Sequence, residues 1–193
     1  MSQESVVIVN STRTAMGGFQ GSLAPVTAPQ LGASAIGEAI ARAGLAPEDI
    51  QEVIMGCVLP AGLKQGPARQ AMLGAGLPPS TGATTVNKLC GSGMKATMFA
   101  HDLIRAGSND VMVAGGMESM SNAPYLLEKA RSGYRMGHGQ VFDHMFIDGL
   151  EDAESGRLMG SFAQEMADKK GITREQMDEF AIASLERARE AID

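Results

Sequence analysis

The sequence predicts an α/β protein in which helices cover both faces of a largely parallel sheet. Two observations predict this class. Apolar runs of strand length alternate with longer segments whose apolar residues have helical spacing, and glycines stand where most of the helical segments end. A chain of 193 residues is long enough for one sizeable domain, or for one domain and part of another. Since sites in such sheets gather at the carboxyl ends of the strands, the residues that follow each strand are the first candidates for function.

The alternation comprises four strands and three helices. Residues 5–10 form a short β-branched run bounded by polar residues, which predicts a buried strand at the start of the fold. The later elements are predicted as a helix over 30–45 with Gly44 as its stop, a strand ending at Gly56, a helix over 66–77, a strand over 83–89, a helix over 92–107 and a strand over 110–116. Parallel strands need crossover connections of this kind, and a helix usually supplies them.

The sequence changes character after Met120. No strand or helix period persists there until two helical segments, 159–171 and 172–193. We therefore expect an α/β domain over 1–119 and the start of a second, partly helical domain over 120–193.

Composition excludes several classes of function. The 22 acidic and 16 basic residues leave a net charge of −6, which argues against nucleic acid as the main partner because phosphates bind basic surfaces. The two cysteines cannot build a disulfide framework, and the three histidines lack metal-ligand spacing, so we expect no metal site. No apolar run has membrane-spanning length, and the first ten residues lack the features of an export signal. We therefore expect a cytoplasmic protein without a membrane partner.

Cys90 is the candidate for chemistry. It lies between a predicted strand and a predicted helix, beside Gly91 and Gly93. A helix N-terminus stabilises a thiolate, and small neighbours let a substrate approach backbone N–H groups that can bind an oxyanion. The pattern alone leaves two interpretations open, a nucleophile or an inert buried residue. Cys57 lacks the glycine-flanked helix start, and we interpret it as structural.

Five segments resemble the thiolase family, in family order and over essentially the whole chain. VNKLCGSGMKA, around Cys90, resembles the acyl-accepting cysteine motif, and AGGMESMSNAPY resembles the glycine-rich loop after the fourth strand. VIVNSTRTAMGGFQGSL is similar to the N-terminal strand and loop. YRMGHGQVFDHMFIDGL is similar to the oligomerisation segment of the acetyl-CoA acetyltransferase branch, and GITREQMDEFAIASLERA to the helices of the substrate-capping loop domain.

The resemblance implies a layered α-β-α-β-α architecture, of which this sequence would be the N-terminal half with its sheet and helical loop domain. It also implies a reversible Claisen condensation of two acetyl-CoA molecules to acetoacetyl-CoA and CoA, without a cofactor. Cys90 would hold the acyl group and its N–H would bind an oxyanion. Leu150, Leu158 and Met159 match positions that line the CoA and acyl channel. A homo-oligomer, in the form of a tetramer, is expected.

Two departures from the family leave alternatives open. Short-chain thiolases often have a histidine or another polar residue where this chain has Leu158, so a longer-chain 3-ketoacyl-CoA thiolase or a ketosynthase-like condensing enzyme is an alternative. Thiolases are also about twice as long, and the resemblance assigns the catalytic histidine and second cysteine to the C-terminal half, which is absent from this sequence. A non-catalytic N-terminal assembly module or fragment is therefore the other alternative.

Overall fold

The computed structural model describes residues 5–192. Their contacts divide them into two compact units, the first ending at Gly149 and the second beginning at Leu150. The domain boundary expected at residue 120 rests on a change in sequence pattern and stays a prediction. The first four residues and Asp193, which belong to the predicted first domain and last helix, lie outside the described residues.

The first unit is an α/β arrangement, which confirms the predicted class. Its main elements in chain order are α1 (Ala28–Ala43), β1 (Glu52–Gly56), α2 (Pro67–Gly74), β2 (Gly82–Val86), α3 (Ser92–Arg105) and β3 (Met112–Gly116). The three strands are parallel and lie in the order β2–β1–β3, so β1 is central. The three helices and the last three strands predicted from the sequence are therefore present, with shifted ends.

Helix α1 begins and ends at residues suited to those positions. The side chain of Gln30 accepts the backbone N–H of Thr27, the residue before the helix, at 2.9 Å. This bond satisfies a donor at the helix start. Gly44 ends the helix at φ 68°, a left-handed conformation that glycine adopts without a Cβ clash. The prediction of Gly44 as the helix stop is confirmed.

The core forms on both faces of β1. Val53 and Met55 are buried in one cluster with Ile36 of α1 and other residues of α1 and α2. Side chains alternate along a strand, so Ile54 points to the opposite face, where it is also buried. Helix α3 contacts β1 and buries Ala96 completely. Helices therefore cover both faces of the sheet, as predicted.

The strand predicted at residues 5–10 is wrong. These residues pair with no strand in the described chain, and Val7, Ile8 and Val9 are 70%, 82% and 64% exposed instead of buried. A β-branched run suits a sheet, but a strand also needs a neighbouring strand to exchange hydrogen bonds with it. The parallel sheet in the described part of the chain therefore has three strands rather than four.

The remaining elements are short or helical. A two-stranded antiparallel pair and a π-helical turn follow the sheet: β4 (Tyr125–Leu126), β5 (Phe142–Asp143) and the turn Phe146–Leu150. The second unit contains α4 (Met159–Lys170) and α5 (Arg174–Glu190), which confirms the two predicted helices. Among residues 5–192, no helix combines the length and apolar character that crossing a membrane requires.

Candidate active site

Cys90 lies in the turn that leads from β2 into α3, with a free thiol and an exposed side chain. The turn is tight, because the N–H of Gly91 donates to the carbonyl of Lys88 at 3.1 Å and the N–H of Ser92 donates to the carbonyl of Leu89 at 2.9 Å. The exposed side chain contradicts the interpretation of Cys90 as a buried residue, and its role as a nucleophile stays a prediction. At the start of a helix the first N–H groups lack intrahelical partners, and these groups stabilise negative charge on a nearby sulfur.

The backbone of the turn is strained at Leu89, which has φ 49°. A branched side chain rarely adopts this left-handed conformation, and surrounding contacts must hold it there. Ser92 supplies two of them. Its hydroxyl donates to the Leu89 carbonyl at 2.6 Å and accepts the Lys88 N–H at 2.8 Å, while the residue itself is only 4% exposed.

Glycines let the start of α3 sit directly against the strand ends. A Cβ at Gly56, the last residue of β1, would lie 2.5 Å from Ser92 Cβ and 2.7 Å from its carbonyl carbon. Gly93 lies against the backbone of Gly115 and Gly116 at the end of β3. This packing puts Cys90 at the carboxyl edge of the sheet, where sites of parallel sheets form.

Glu118, which our sequence analysis missed, joins two of the strand ends. It follows β3, and its carboxylate oxygens accept the N–H groups of Val58 at 2.8 Å and Leu59 at 3.0 Å, just after β1. The two segments are about sixty positions apart in sequence, so no local spacing rule could pair them. An acidic residue directly after a glycine-rich apolar strand was the available signal.

Asn87 joins the turn that contains Cys90 to the loop after β1. Its side-chain oxygen accepts the Leu89 N–H at 2.9 Å, and its side-chain nitrogen donates to the Val58 carbonyl at 3.4 Å. An asparagine that bonds the backbone two residues on is a common turn former, so its place in the turn could have been predicted. Its bond to the loop after β1 could not.

Cys57 lies at the end of β1 and is 1% exposed. Burial raises the pKa of the Cys57 thiol to about 12, and the nearby charge of Glu118 adds to the rise. Its Sγ lies 3.6 Å from an oxygen of that carboxylate, to which the S–H donates. A thiol that stays protonated is a poor nucleophile, which supports the interpretation of Cys57 as structural.

The two cysteines are expected to differ in reactivity. Iodoacetamide at pH 8 should alkylate Cys90 about 100-fold faster than Cys57 or more, because Cys57 is buried and about one molecule in 10⁴ carries its thiolate at that pH. Peptide mapping by mass spectrometry measures both rates. Unfolding in urea is the control, and there the rates should converge. Rates within about threefold of each other in the folded protein would contradict the assignment.

The other residues matched to thiolases lie in the second unit, whereas Cys90 lies in the first. Leu150 precedes a short antiparallel bridge between Glu151 and Leu158, and Met159 begins α4 directly after it. The N–H of Asp152 donates to the Arg157 carbonyl at 2.8 Å and closes the loop between them. The bridge therefore brings the two segments that contain the three residues side by side.

Two of the three histidines have hydrogen-bond partners other than Cys90. His101 lies on α3 with its Nδ1 3.0 Å from an Asp102 oxygen, and buried His144 has its Nδ1 2.6 Å from an Asp148 oxygen. Neither ring hydrogen-bonds to Cys90. Within residues 5–192, no group of three or more histidine, cysteine or acidic side chains is arranged to hold a metal ion.

Comparison with known proteins relates the chain to one family. Residues 6–193 match the thiolase N-terminal domain. The chain is 52% identical to an acetyl-CoA acetyltransferase of Cupriavidus necator over 186 residues, which cover 96% of this chain and 47% of that protein. It is 54% identical to acetyl-CoA acetyltransferase 2 of Arabidopsis thaliana over 182 residues (94% and 45%) and 52% identical to the Escherichia coli acetyl-CoA acetyltransferase over 191 residues (98% and 48%). The chain spans about half the length of the curated relatives it matches.

Proposed function

The chain belongs to the thiolase family, and we propose that it is the N-terminal part of an enzyme that reversibly condenses two acetyl-CoA molecules to acetoacetyl-CoA and CoA. The observation that carries the proposal is an exposed, free cysteine in a strained turn at the start of a helix, at the carboxyl edge of a parallel sheet. The relatives are acetyl-CoA acetyltransferases by name, which supports this substrate class.

The proposed reaction has two half-reactions. The Cys90 thiol gives up its proton and attacks the thioester carbonyl of acetyl-CoA as a thiolate. The new carbon–sulfur bond forms as the carbonyl's bond to the CoA sulfur breaks, and CoA leaves as a thiolate that takes up a proton, so that acetyl-cysteine remains. A base then removes a proton from the methyl group of a second acetyl-CoA, and the resulting carbanion attacks the acetyl-cysteine and releases Cys90. The Cys90 N–H and the start of α3 offer donors for the oxyanion of each attack. The resemblance assigns the base to residues beyond this chain.

The polypeptide at the full length of its relatives tests the proposal. We expect the purified protein to cleave acetoacetyl-CoA with CoA. The loss of absorbance of the 3-ketoacyl thioester measures the rate of cleavage. Malonyl-CoA is the control substrate, since a ketosynthase-like enzyme would release carbon dioxide from it. Absence of cleavage would favour the non-catalytic assembly module, and release of carbon dioxide would favour the ketosynthase.

We further propose that Leu158 limits the length of the acyl chain, with Leu150 and Met159 beside it along the CoA channel. Leu158 is exposed in the described chain and so is free to meet a substrate. Replacing it with alanine is expected to raise kcat/KM for a 3-ketoacyl-CoA one two-carbon unit longer by about 10-fold relative to acetoacetyl-CoA, because pocket volume discriminates between methylenes. Leu185→Ala, an exposed leucine of α5, is the matched control. An unchanged ratio for Leu158→Ala would contradict the role.

A homo-oligomer, in the form of a tetramer, is part of the proposal. Met136 and Val141 lie in the segment that resembles the family's oligomerisation segment, and both expose apolar surface. A partner subunit would cover this surface. Phe142, Met145 and Phe146 of the same segment are half-buried within this chain. Light scattering of the full-length protein at micromolar concentration measures the state, and a monomer would contradict it.

A further inference from the structure

We propose that Glu118 is a positioning residue that holds the Cys90 turn through the loop after β1 and through Asn87, and thereby sets the rate of acyl transfer. The proposal rests on the proposed function of Cys90. It concerns a residue at a different strand end, whose carboxylate bonds to the loop after β1 rather than to Cys90. It depends on a chain of hydrogen bonds that crosses the carboxyl ends of all three parallel strands.

The first link joins the loops after β3 and β1. One oxygen of the half-buried Glu118 carboxylate accepts the Val58 N–H at 2.8 Å, and the other accepts the Leu59 N–H at 3.0 Å. The Cys57 thiol approaches one of these oxygens to 3.6 Å. Three donors from consecutive residues thus converge on one acceptor group. A carboxylate fits because it only accepts, whereas the amide of a glutamine would present its own N–H groups to them.

The second link joins the loop after β1 to the nucleophile turn. The Val58 peptide unit that precedes Leu59 offers its carbonyl to Asn87 Nδ2 at 3.4 Å. Asn87 Oδ1 in turn accepts the N–H of Leu89 at 2.9 Å. Asn87 is therefore held from the loop after β1 while it holds the residue directly before Cys90.

The reason for such a chain is the strain in the turn. Leu89 stands at φ 49°, a conformation that persists only where the surroundings determine it. On the helix side, the Ser92 hydroxyl donates to the Leu89 carbonyl at 2.6 Å, and on the strand side Asn87 accepts the Leu89 N–H. Loss of either hydrogen bond lets the turn relax, and the Cys90 sulfur then moves relative to the first N–H groups of α3. A displacement of about 1 Å can cost about 100-fold in rate.

The test uses Glu118→Gln and Asn87→Asp in the full-length protein, with acetoacetyl-CoA and CoA as substrates. Glutamine keeps the shape of Glu118, but its amide N–H groups would face the N–H groups of Val58 and Leu59. Aspartate at 87 still accepts the Leu89 N–H but no longer donates to Val58. Both variants are expected to lower kcat about 10- to 100-fold with KM for acetoacetyl-CoA within about threefold, because the turn and not the CoA channel is disturbed.

Glu52→Gln is the matched control. Glu52 lies at the opposite end of β1, where its carboxylate accepts the Thr84 hydroxyl at 2.9 Å, and the variant should keep kcat within about twofold. The double variant Glu118→Gln/Asn87→Asp should lose little more activity than the worse single variant, because both changes break one chain of bonds. Independent roles would instead multiply the two losses.

The outcomes separate this proposal from the proposed function. Activity that persists in Cys90→Ser removes the proposed function itself. Loss of activity in Cys90→Ser, with kcat retained in both Glu118→Gln and Asn87→Asp, overturns the positioning role alone. A fall in kcat matched by an equal rise in KM, together with a lower unfolding temperature, also overturns it, because that pattern indicates a structural role only. Should Glu118→Gln fail to fold, Asn87→Asp decides: full activity overturns the proposal, and a selective loss of kcat supports it.

Discussion

Cys90→Ala in the full-length protein is expected to lower acetoacetyl-CoA cleavage at least about 1,000-fold, because a covalent route needs its nucleophile. Cys90→Ser should lose almost as much. A serine hydroxyl fits the exposed turn before α3, but its alkoxide is far harder to form than a thiolate. Steady-state rates of both variants and of the wild-type protein measure the loss.

Acyl transfer to the protein gives an independent measurement of the same prediction. Incubation with radiolabelled acetyl-CoA, followed by denaturation and digestion, should recover the label on the peptide that contains Cys90. The peptide that contains Cys57 is the internal control, because burial and the neighbouring Glu118 carboxylate keep that thiol protonated. Label on Cys57, or label that persists in Cys90→Ala, would contradict the assignment of the nucleophile.

Local chemistry accounts for what the sequence predicted correctly. The helices and the three parallel strands have clear apolar patterns, and Gly44 stops α1 through a conformation that favours glycine. The position of Cys90 between a strand and a helix follows from the order of those elements. Residues 5–10 show where this reasoning fails. Strand propensity is a property of one segment, whereas a strand forms only when a second segment lies beside it and exchanges backbone hydrogen bonds with it.

The unpredicted part of the candidate site depends on contacts between distant segments. In the sequence, Glu118 is one acidic residue in a glycine-rich segment. Only the fold brings its carboxylate to the N–H groups of Val58 and Leu59. The strain at Leu89 could not be predicted from the sequence either, because leucine is not a residue that favours a positive φ. Sequence patterns thus singled out the exposed Cys90 but not the bonds that hold its backbone.

Gly56→Ala is expected to destabilise the first unit by about 3 kcal/mol, which is at the upper end of the usual cost of overpacking. Its Cβ would lie 2.5 Å from Ser92 Cβ, 2.7 Å from the Ser92 carbonyl carbon and 2.8 Å from the Gly93 nitrogen. Two of these three atoms belong to the backbone, so a change of rotamer cannot relieve the clash. Either α3 shifts away from the end of β1, which also moves the Cys90 turn, or the sheet deforms.

Thermal unfolding of the full-length protein and its variants measures this effect. A loss of about 3 kcal/mol should lower Tm by roughly 6–12 °C for a unit of this size. Gly37→Ala is the matched control. Its Cβ would meet Ala75 atoms at 3.8 Å or more, and alanine favours a helix more than glycine does, so this variant should be more stable by about 0.5–1 kcal/mol.

Adding Ser92→Gly to Gly56→Ala should restore little stability, since both backbone clashes persist and the Ser92 hydroxyl bonds to Lys88 and Leu89 are lost. Equal Tm values for Gly56→Ala and Gly37→Ala would contradict the close contact between β1 and α3 on which the position of Cys90 depends.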